Sequence, residues 1–241
     1  MSTTLNSLHQ QRLVAAMLLT GRPVDAMASY FALEHDERRT KLTVREDARG
    51  RALAFVAVCQ TGIDLFRPLV VMRGDDSVAL QDAIREALAP RRAYLLSAPM
   101  TVHNDIAAVC ELNGEQVNHV YALSTAQFQP TVNILVQTSR TPDGQLRAFI
   151  KARDGSNAAE AGTSWISARY AEVYVNVAET VRRRGLGKSV VSAVCNQLIE
   201  RSKMPIYVTG RTNEGSRRLA ERVGFADTGA LELTAAISVR A

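Results

Sequence analysis

Arg182, Arg183 and Arg184 run directly into Gly185, Leu186 and Gly187, and Lys188 follows. Cations braided with glycine can hold a multiply charged phosphate, through charge-assisted hydrogen bonds from the guanidinium groups. The apolar stretch before them, residues 171–177, reads as a strand. Behind them Leu186, Val190, Val194 and Leu198 recur every fourth residue, as on the buried face of a helix. A helix opening at such a turn leaves its first N–H groups without intrahelical partners, and the positive end of its dipole points the same way. Gly185 and Gly187 are expected to let the backbone approach a pyrophosphate where a Cβ would collide.

Glu172 is a carboxylate on the strand before the turn, and strand parity groups it with Tyr174 and Asn176, opposite Val173, Val175 and Val177. An arginine such as Arg169 could pair with it. Tyr207, on a later strand, suits packing in the core. Gly187-Lys188-Ser189 also matches the end of a nucleotide-triphosphatase phosphate loop, but that pattern needs glycine where Arg182 stands, and no strand ending in aspartate follows.

Composition narrows the field. The chain has 241 residues, 46% hydrophobic and 22% charged, as in an ordinary globular protein. No apolar run approaches the ~18 residues of a membrane span. Residues 13–20 faintly resemble a signal segment but lack a small-residue cleavage site, and Gly21-Arg22-Pro23 reads as a helix stop. Cys59, Cys110 and Cys195 are scattered in apolar surroundings, which argues against disulfides and for a reducing cytoplasm. His9, His35, His103 and His119 make no metal-ligand spacing, so no metal is expected. The net charge of +5 and pI of 9.4 suit an anionic ligand. With 5% aromatic residues and no recognition motif, neither nucleic acid nor membrane is an expected partner.

The positioning elements read as follows. The first thirty residues are helical, with Leu5, Leu8, Val14, Met17 and Leu18 as the apolar set, and a short helix spans 24–33. Strands at 41–45 and 51–59 flank a turn at 47–50. A strand at 67–73 precedes a helix at 75–88 that buries Val78, Leu80, Ile84 and Leu88. A strand at 93–97, a helix at 105–112 stopped by Gly114, and a strand at 117–123 complete the first half. Strands follow at 132–137, 148–153, 162–167 and 171–177, then a helix at 185–201 and a strand at 206–209. A helix at 213–223 ends on Gly224-Phe225, and a strand at 231–239 closes the chain.

Arg-x-x-Gly-x-Gly after a strand resembles the acyl-CoA-binding signature of the GNAT acetyltransferases. Asn213-x-x-Ser216-x-x-Leu219-x(4)-Gly224-Phe225 resembles that superfamily's second motif. The likeness is strong over residues 165–230 and rests elsewhere on element order. It implies an α/β (α+β) GNAT fold, with a mixed, mostly antiparallel twisted sheet flanked by helices. It implies acetyl-CoA (coenzyme A) as cofactor, held by Arg182, Arg183, Arg184, Gly185, Leu186, Gly187, Lys188, Asn213 and Ser216. Its pantetheine arm pairs with backbone near Val175 and Val177, in a gap where strand 171–177 splays from strand 206–209. The implied reaction is acetyl transfer to a small-molecule or peptide amine, for which Glu172, unless it is held in an ion pair, is the candidate base and Tyr207, unless it is packed in the core, the candidate acid. One departure stands out: many members place an acidic tyrosine after the leucine of the second motif, and here that residue is Ala220.

Residues 67–123 and 171–233 share one order of elements, which points to a tandem of related halves, 1–126 and 127–241. The first half offers Arg73-Gly74-Asp75-Asp76 at the matching turn, and its carboxylates would repel a pyrophosphate. The first half is therefore expected to be a degenerate repeat without CoA, and a homodimer is admissible. The leading function is an acetyl-CoA-dependent N-acetyltransferase. The alternative is a CoA-binding sensor or structural protein that has lost catalysis.

Overall fold

In the computed structural model, which describes residues 7–240, the N-terminal helix α1 (Leu8–Ala16) is capped by Ser7, whose hydroxyl accepts from Gln10 N–H. Leu5, counted above in its apolar set, lies outside the described residues. α1 ends at Ala16, capped by Met17, well short of residue thirty, and the short α2 (Ala26–Ser29) runs into a wider π-type turn, Tyr30–Glu34.

Alternating and apolar runs then build strands β1 (Thr40–Glu46), β2 (Ala52–Cys59) and β3 (Leu69–Gly74), antiparallel to one another in turn. Helix α3 (Ser77–Ala87) returns the chain to β4 (Tyr94–Pro99), parallel to β3. Its buried set is Ala79, Leu80, Ala83 and Ile84, whereas Val78 is 68% exposed, against expectation. Two residues along a helix lie about 200° apart, so burying Leu80 turns Val78 outward.

The helix expected at 105–112 is shorter: α4 (His103–Val109) gives way to the long strand β5 (Cys110–Leu123). Gly114 is not a helix stop; it sits inside β5 with φ +65°. Residues 132–136 are not strand either. Val132 and Ile134 are 90% and 95% exposed, and the short edge strand β6 (Gln137–Arg140) starts after them.

The second half then repeats the order. Strands β7 (Leu146–Lys151), β8 (Asn157–Ile166) and β9 (Tyr170–Val177) are antiparallel in turn. Helix α5 (Leu186–Glu200) leads to β10 (Met204–Gly210), parallel to β9. Helix α6 (Glu214–Val223) ends at Gly224, φ +112°, before β11 (Phe225–Val239).

The strands therefore make a mixed, mostly antiparallel sheet, with β3/β4 and β9/β10 as parallel pairs. Two compact units result: Met1–Asn118 with Ala230–Ala241, and His119–Gly229. In the first the strand order is β1-β2-β3-β4-β11-β5, and Leu80, Ile84, Leu96 and Ile106 centre the core. In the second it is β11-β5-β10-β9-β8-β7-β6, around Tyr121, Leu146, Val190, Leu198 and Phe225. The division at 126/127 is one of sequence order, because Glu232–Ile237 pair with β4 in the first unit and His119–Leu123 belong to the second.

Candidate functional site

The site lies where β9 leaves its parallel neighbour. The β9/β10 ladder has three rungs, the last being Glu172↔Ile206, yet β9 runs on to Val177 paired only with β8, up to Ala159↔Val177. The edge of β9 from Val173 to Val177, which includes Val175, thus has no strand beside it. This is the splay that the sequence resemblance implies.

The chain then makes a 3₁₀ turn, Glu179–Val181, and two left-handed residues, Arg183 at φ +64° and Gly185 at φ +79°, before α5 begins at Leu186. A left-handed conformation costs a residue with a Cβ roughly 1–2 kcal/mol, which is why glycine stands at 185. No side chain caps α5, and its first internal bond runs from Ser189 N–H to Gly185 O. The N–H groups of Leu186, Gly187 and Lys188 are therefore left over at the positive end of the helix.

Gly187 has a packing role that the sequence did not announce. It is buried, and a Cβ there would lie 3.2 Å from both Leu219 Cδ2 and Val177 Cγ2. Its smallness lets α5 sit close on β9 and α6; a phosphate would not approach on that side. Among the arginines, Arg182 turns back on the chain, its Nε donating to Val177 O at 3.3 Å and its Nη1 pairing with Glu179. Arg183 and Arg184 are exposed, and among the described residues no carboxylate pairs with them or with Lys188. A triply basic, uncapped helix start is chemically suited to an anion.

Asn213 caps α6, its Oδ1 accepting from Ser216 N–H at 3.1 Å. The Ser216 hydroxyl lies 2.7 Å from that of Tyr207, which is buried beside the Phe225 ring. Burial raises the Tyr207 pKa, so its phenol keeps its proton. Glu172 is half-buried on the opposite face of β9 from Val173, with Trp165 across the ladder. Ser189 and Ser192 anchor the 131–133 segment, accepting from Asn133 Nδ2 and Thr131 N–H. Cys195 is fully buried, and desolvation raises its thiol pKa far above any reactive range.

The sequence reading passed over a polar cluster on the Glu172 face. Glu160 receives Arg147 Nη2 at 2.5 Å, Asn157 Nδ2 at 2.5 Å and the Tyr174 hydroxyl at 3.0 Å. Arg147 lies opposite Gly162 and Glu160 opposite Phe149, so the two are diagonal neighbours on one face of β7 and β8.

The first unit answers the same geometry differently. Its β3/β4 ladder also has three rungs, ending at Val71↔Ser97. Here Asp76 caps α3, accepting from Ala79 N–H at 2.8 Å, and Asp75 N–H is taken by Leu53 O. Arg73 is buried, paired with Asp25 at 3.1 Å and donating to the carbonyls of Met72 and Val24. No uncapped, basic helix start remains there.

Solved structures share this architecture. A GCN5-related N-acetyltransferase from Kribbella flavida matches with a TM-score of 0.64 at 14% identity, over 92% of this chain and 97% of that one. A GNAT-family acetyltransferase from Colwellia psychrerythraea matches at 0.57 and 10%, over 99% and 98%. A tandem GNAT protein from the clavulanic acid biosynthesis pathway matches at 0.57 and 12%, over 96% and 94%. The fold is that of the GNAT acetyltransferase superfamily. Within it, residues 157–232 match the family described as FR47-like protein, a span that holds every residue of the α5 turn. No curated protein matches the sequence. Among the described residues no helix is long and apolar enough to cross a membrane.

Proposed function

We propose that the protein is an acetyl-CoA-dependent N-acetyltransferase that binds one cofactor per chain, in its second unit. The observation that carries this reading is the uncapped start of α5, flanked by Arg183 and Arg184 and adjoining the free edge of β9. The N–H groups of Leu186, Gly187 and Lys188, with the two arginines, would hold the pyrophosphate. The backbone of Val175 and Val177 would hydrogen-bond the amides of the pantetheine arm. Acetyl-CoA supplies an activated acyl group to the acceptor. Glu172, on the splayed strand, would take the proton released by the amine, and the protonated Tyr207 is the remaining acid. Calorimetric titration with acetyl-CoA tests the reading: one site per chain is expected, weakened by joint Arg183→Ala and Arg184→Ala. An absence of binding removes it.

A second reading, a CoA-binding sensor without catalysis, draws on Ala220. This residue is fully buried where the resemblance leads one to expect a tyrosine acid. Thiol release from acetyl-CoA in the presence of amines separates the two.

A further inference from the structure

We propose that Tyr174 is the acceptor-binding residue: its hydroxyl, with its proton committed to Glu160, accepts a hydrogen bond from the incoming amine and orients that nitrogen beside β9. The inference rests on the acetyltransferase reading and names the group that would recognise its acceptor.

Three observations fix this hydroxyl. Tyr174 stands two residues past the last β9/β10 rung, on the splayed stretch of the cofactor strand, and shares a face with Glu172. The opposite face, with Val173, is the one that joins α5 in the core. Second, a phenol has one proton and two lone pairs. That proton points to Glu160 Oε1 at 3.0 Å, and Glu160 is itself fixed by both Nε and Nη2 of Arg147 and by Asn157. These donors hold Glu160 as an anion against its partial burial, so it takes the phenol's proton rather than offering one. The Arg147 guanidinium also hydrogen-bonds this oxygen and takes one lone pair; the second is the acceptor Tyr174 has left to present, and its matching donor is an amine N–H. Third, the ring lies over Gly162, where a Cβ would come within 2.7 Å of the Tyr174 hydroxyl and 2.9 Å of its Cε1. Only glycine there lets the phenol lie against β8 and reach Glu160. An amine that donates one N–H to this oxygen keeps its own lone pair for attack on the acyl carbon.

The test uses the full chain, acetyl-CoA, and tyramine, spermidine, free lysine and a tripeptide with a free N terminus as acceptors. In Tyr174→Phe the KM for each accepted amine should rise about tenfold, the weight of one hydrogen bond. The kcat and the KM for acetyl-CoA should stay within about twofold, the signature of lost ground-state binding rather than lost structure. Glu160→Gln keeps the packing should Tyr174→Phe fold poorly. Its amide can donate to the phenol oxygen and occupy the lone pair meant for the amine, so the amine KM should rise here too. In ultraviolet titration Glu160→Gln should also lower the ionisation of one phenol, the one missing from Tyr174→Phe. An unchanged amine KM in both variants, or equal rises for both substrates, overturns the proposal. Acetyl-CoA binding with none of these amines acetylated overturns it too, while leaving the cofactor site standing. Failure of the unaltered protein to bind acetyl-CoA overturns the acetyltransferase reading itself.

Discussion

Gly185→Asp and Gly187→Asp put the same charge on two sides of one turn, and the structure assigns them opposite consequences. At Gly185 a Cβ meets nothing within 4 Å, so the cost to the fold is the left-handed φ of +79°. That cost is about 1 kcal/mol, and aspartate tolerates the region better than most residues. Its carboxylate would stand at the mouth of the uncapped helix. Against one phosphate charge about 4 Å away, repulsion is ~1 kcal/mol in water and ~4 kcal/mol at an effective dielectric constant near 20. Each 1.4 kcal/mol is about tenfold in affinity, so acetyl-CoA should bind between about fivefold and several hundredfold more weakly. At Gly187 the Cβ is squeezed at 3.2 Å between Leu219 and Val177, and the carboxylate is buried without a partner. That penalty is several kcal/mol, and each kcal/mol lowers the Tm of a chain this size by about 2–4 °C. Calorimetric titration and thermal unfolding of both variants read the two effects separately. Wild-type affinity in Gly185→Asp would refute the phosphate loop, and a wild-type Tm in Gly187→Asp would refute the packing role.

Glu232 is buried in the first unit, where the Ser97 hydroxyl donates to it, and desolvation raises its pKa above the usual carboxylate range despite the nearby Arg73. The native state then holds this proton more tightly than the unfolded chain, so its stability falls as pH rises from the unfolded carboxyl's pKa, ~4.3, through the folded one. Glu232→Gln should flatten that fall, and an unchanged pH–Tm curve would refute the buried-acid account. Asp76→Ala removes the α3 cap and should cost about 1 kcal/mol, visible as a lower Tm. Its acetyl-CoA stoichiometry should stay at one, since Arg73 remains buried, and a value of two would show that the cap alone closes that turn. A chain starting at residue 128 lacks His119–Leu123, the β5 segment beside β10 in the second unit, and should be insoluble through exposed apolar surface. A soluble, active monomer would refute this.

What the sequence made legible follows from the range of the forces involved. The phosphate turn, the α5 face and the Asn213 and Gly224 ends of α6 are local patterns, set by capping and periodicity within a few residues. The strand-to-helix error at Cys110–Leu112 arose because an apolar run carries no marker of its own period, and the pairing that decided it lies far along the chain. The packing of Gly187 was out of reach for the same reason, since Leu219 is thirty-two positions away and only the fold brings it to the glycine. The Glu160 cluster joins three strands, and nothing near any one of its members in sequence announces the others.

The two halves pose one physical problem twice. Each has a parallel pair that parts after three rungs, and each sends a helix out from the parting strand with its first N–H groups unpaired. In the first half the chain supplies the answer itself: Asp76 takes an N–H group, and the arginine of that strand end is drawn inward to Asp25. A carboxylate already at the dipole's positive end satisfies it, and a second anion would meet repulsion. In the second half glycine stands where that cap would be, and the arginines point to solvent with no carboxylate of their own. These changes between the junctions have the same sense, from a carboxylate supplied to cations left without one. At φ +79° glycine is also the residue the backbone favours, and a capping side chain would gain only a few tenths of a kcal/mol over it, so it is the solvent-facing arginines beside unpaired N–H groups that suit this turn to an anion.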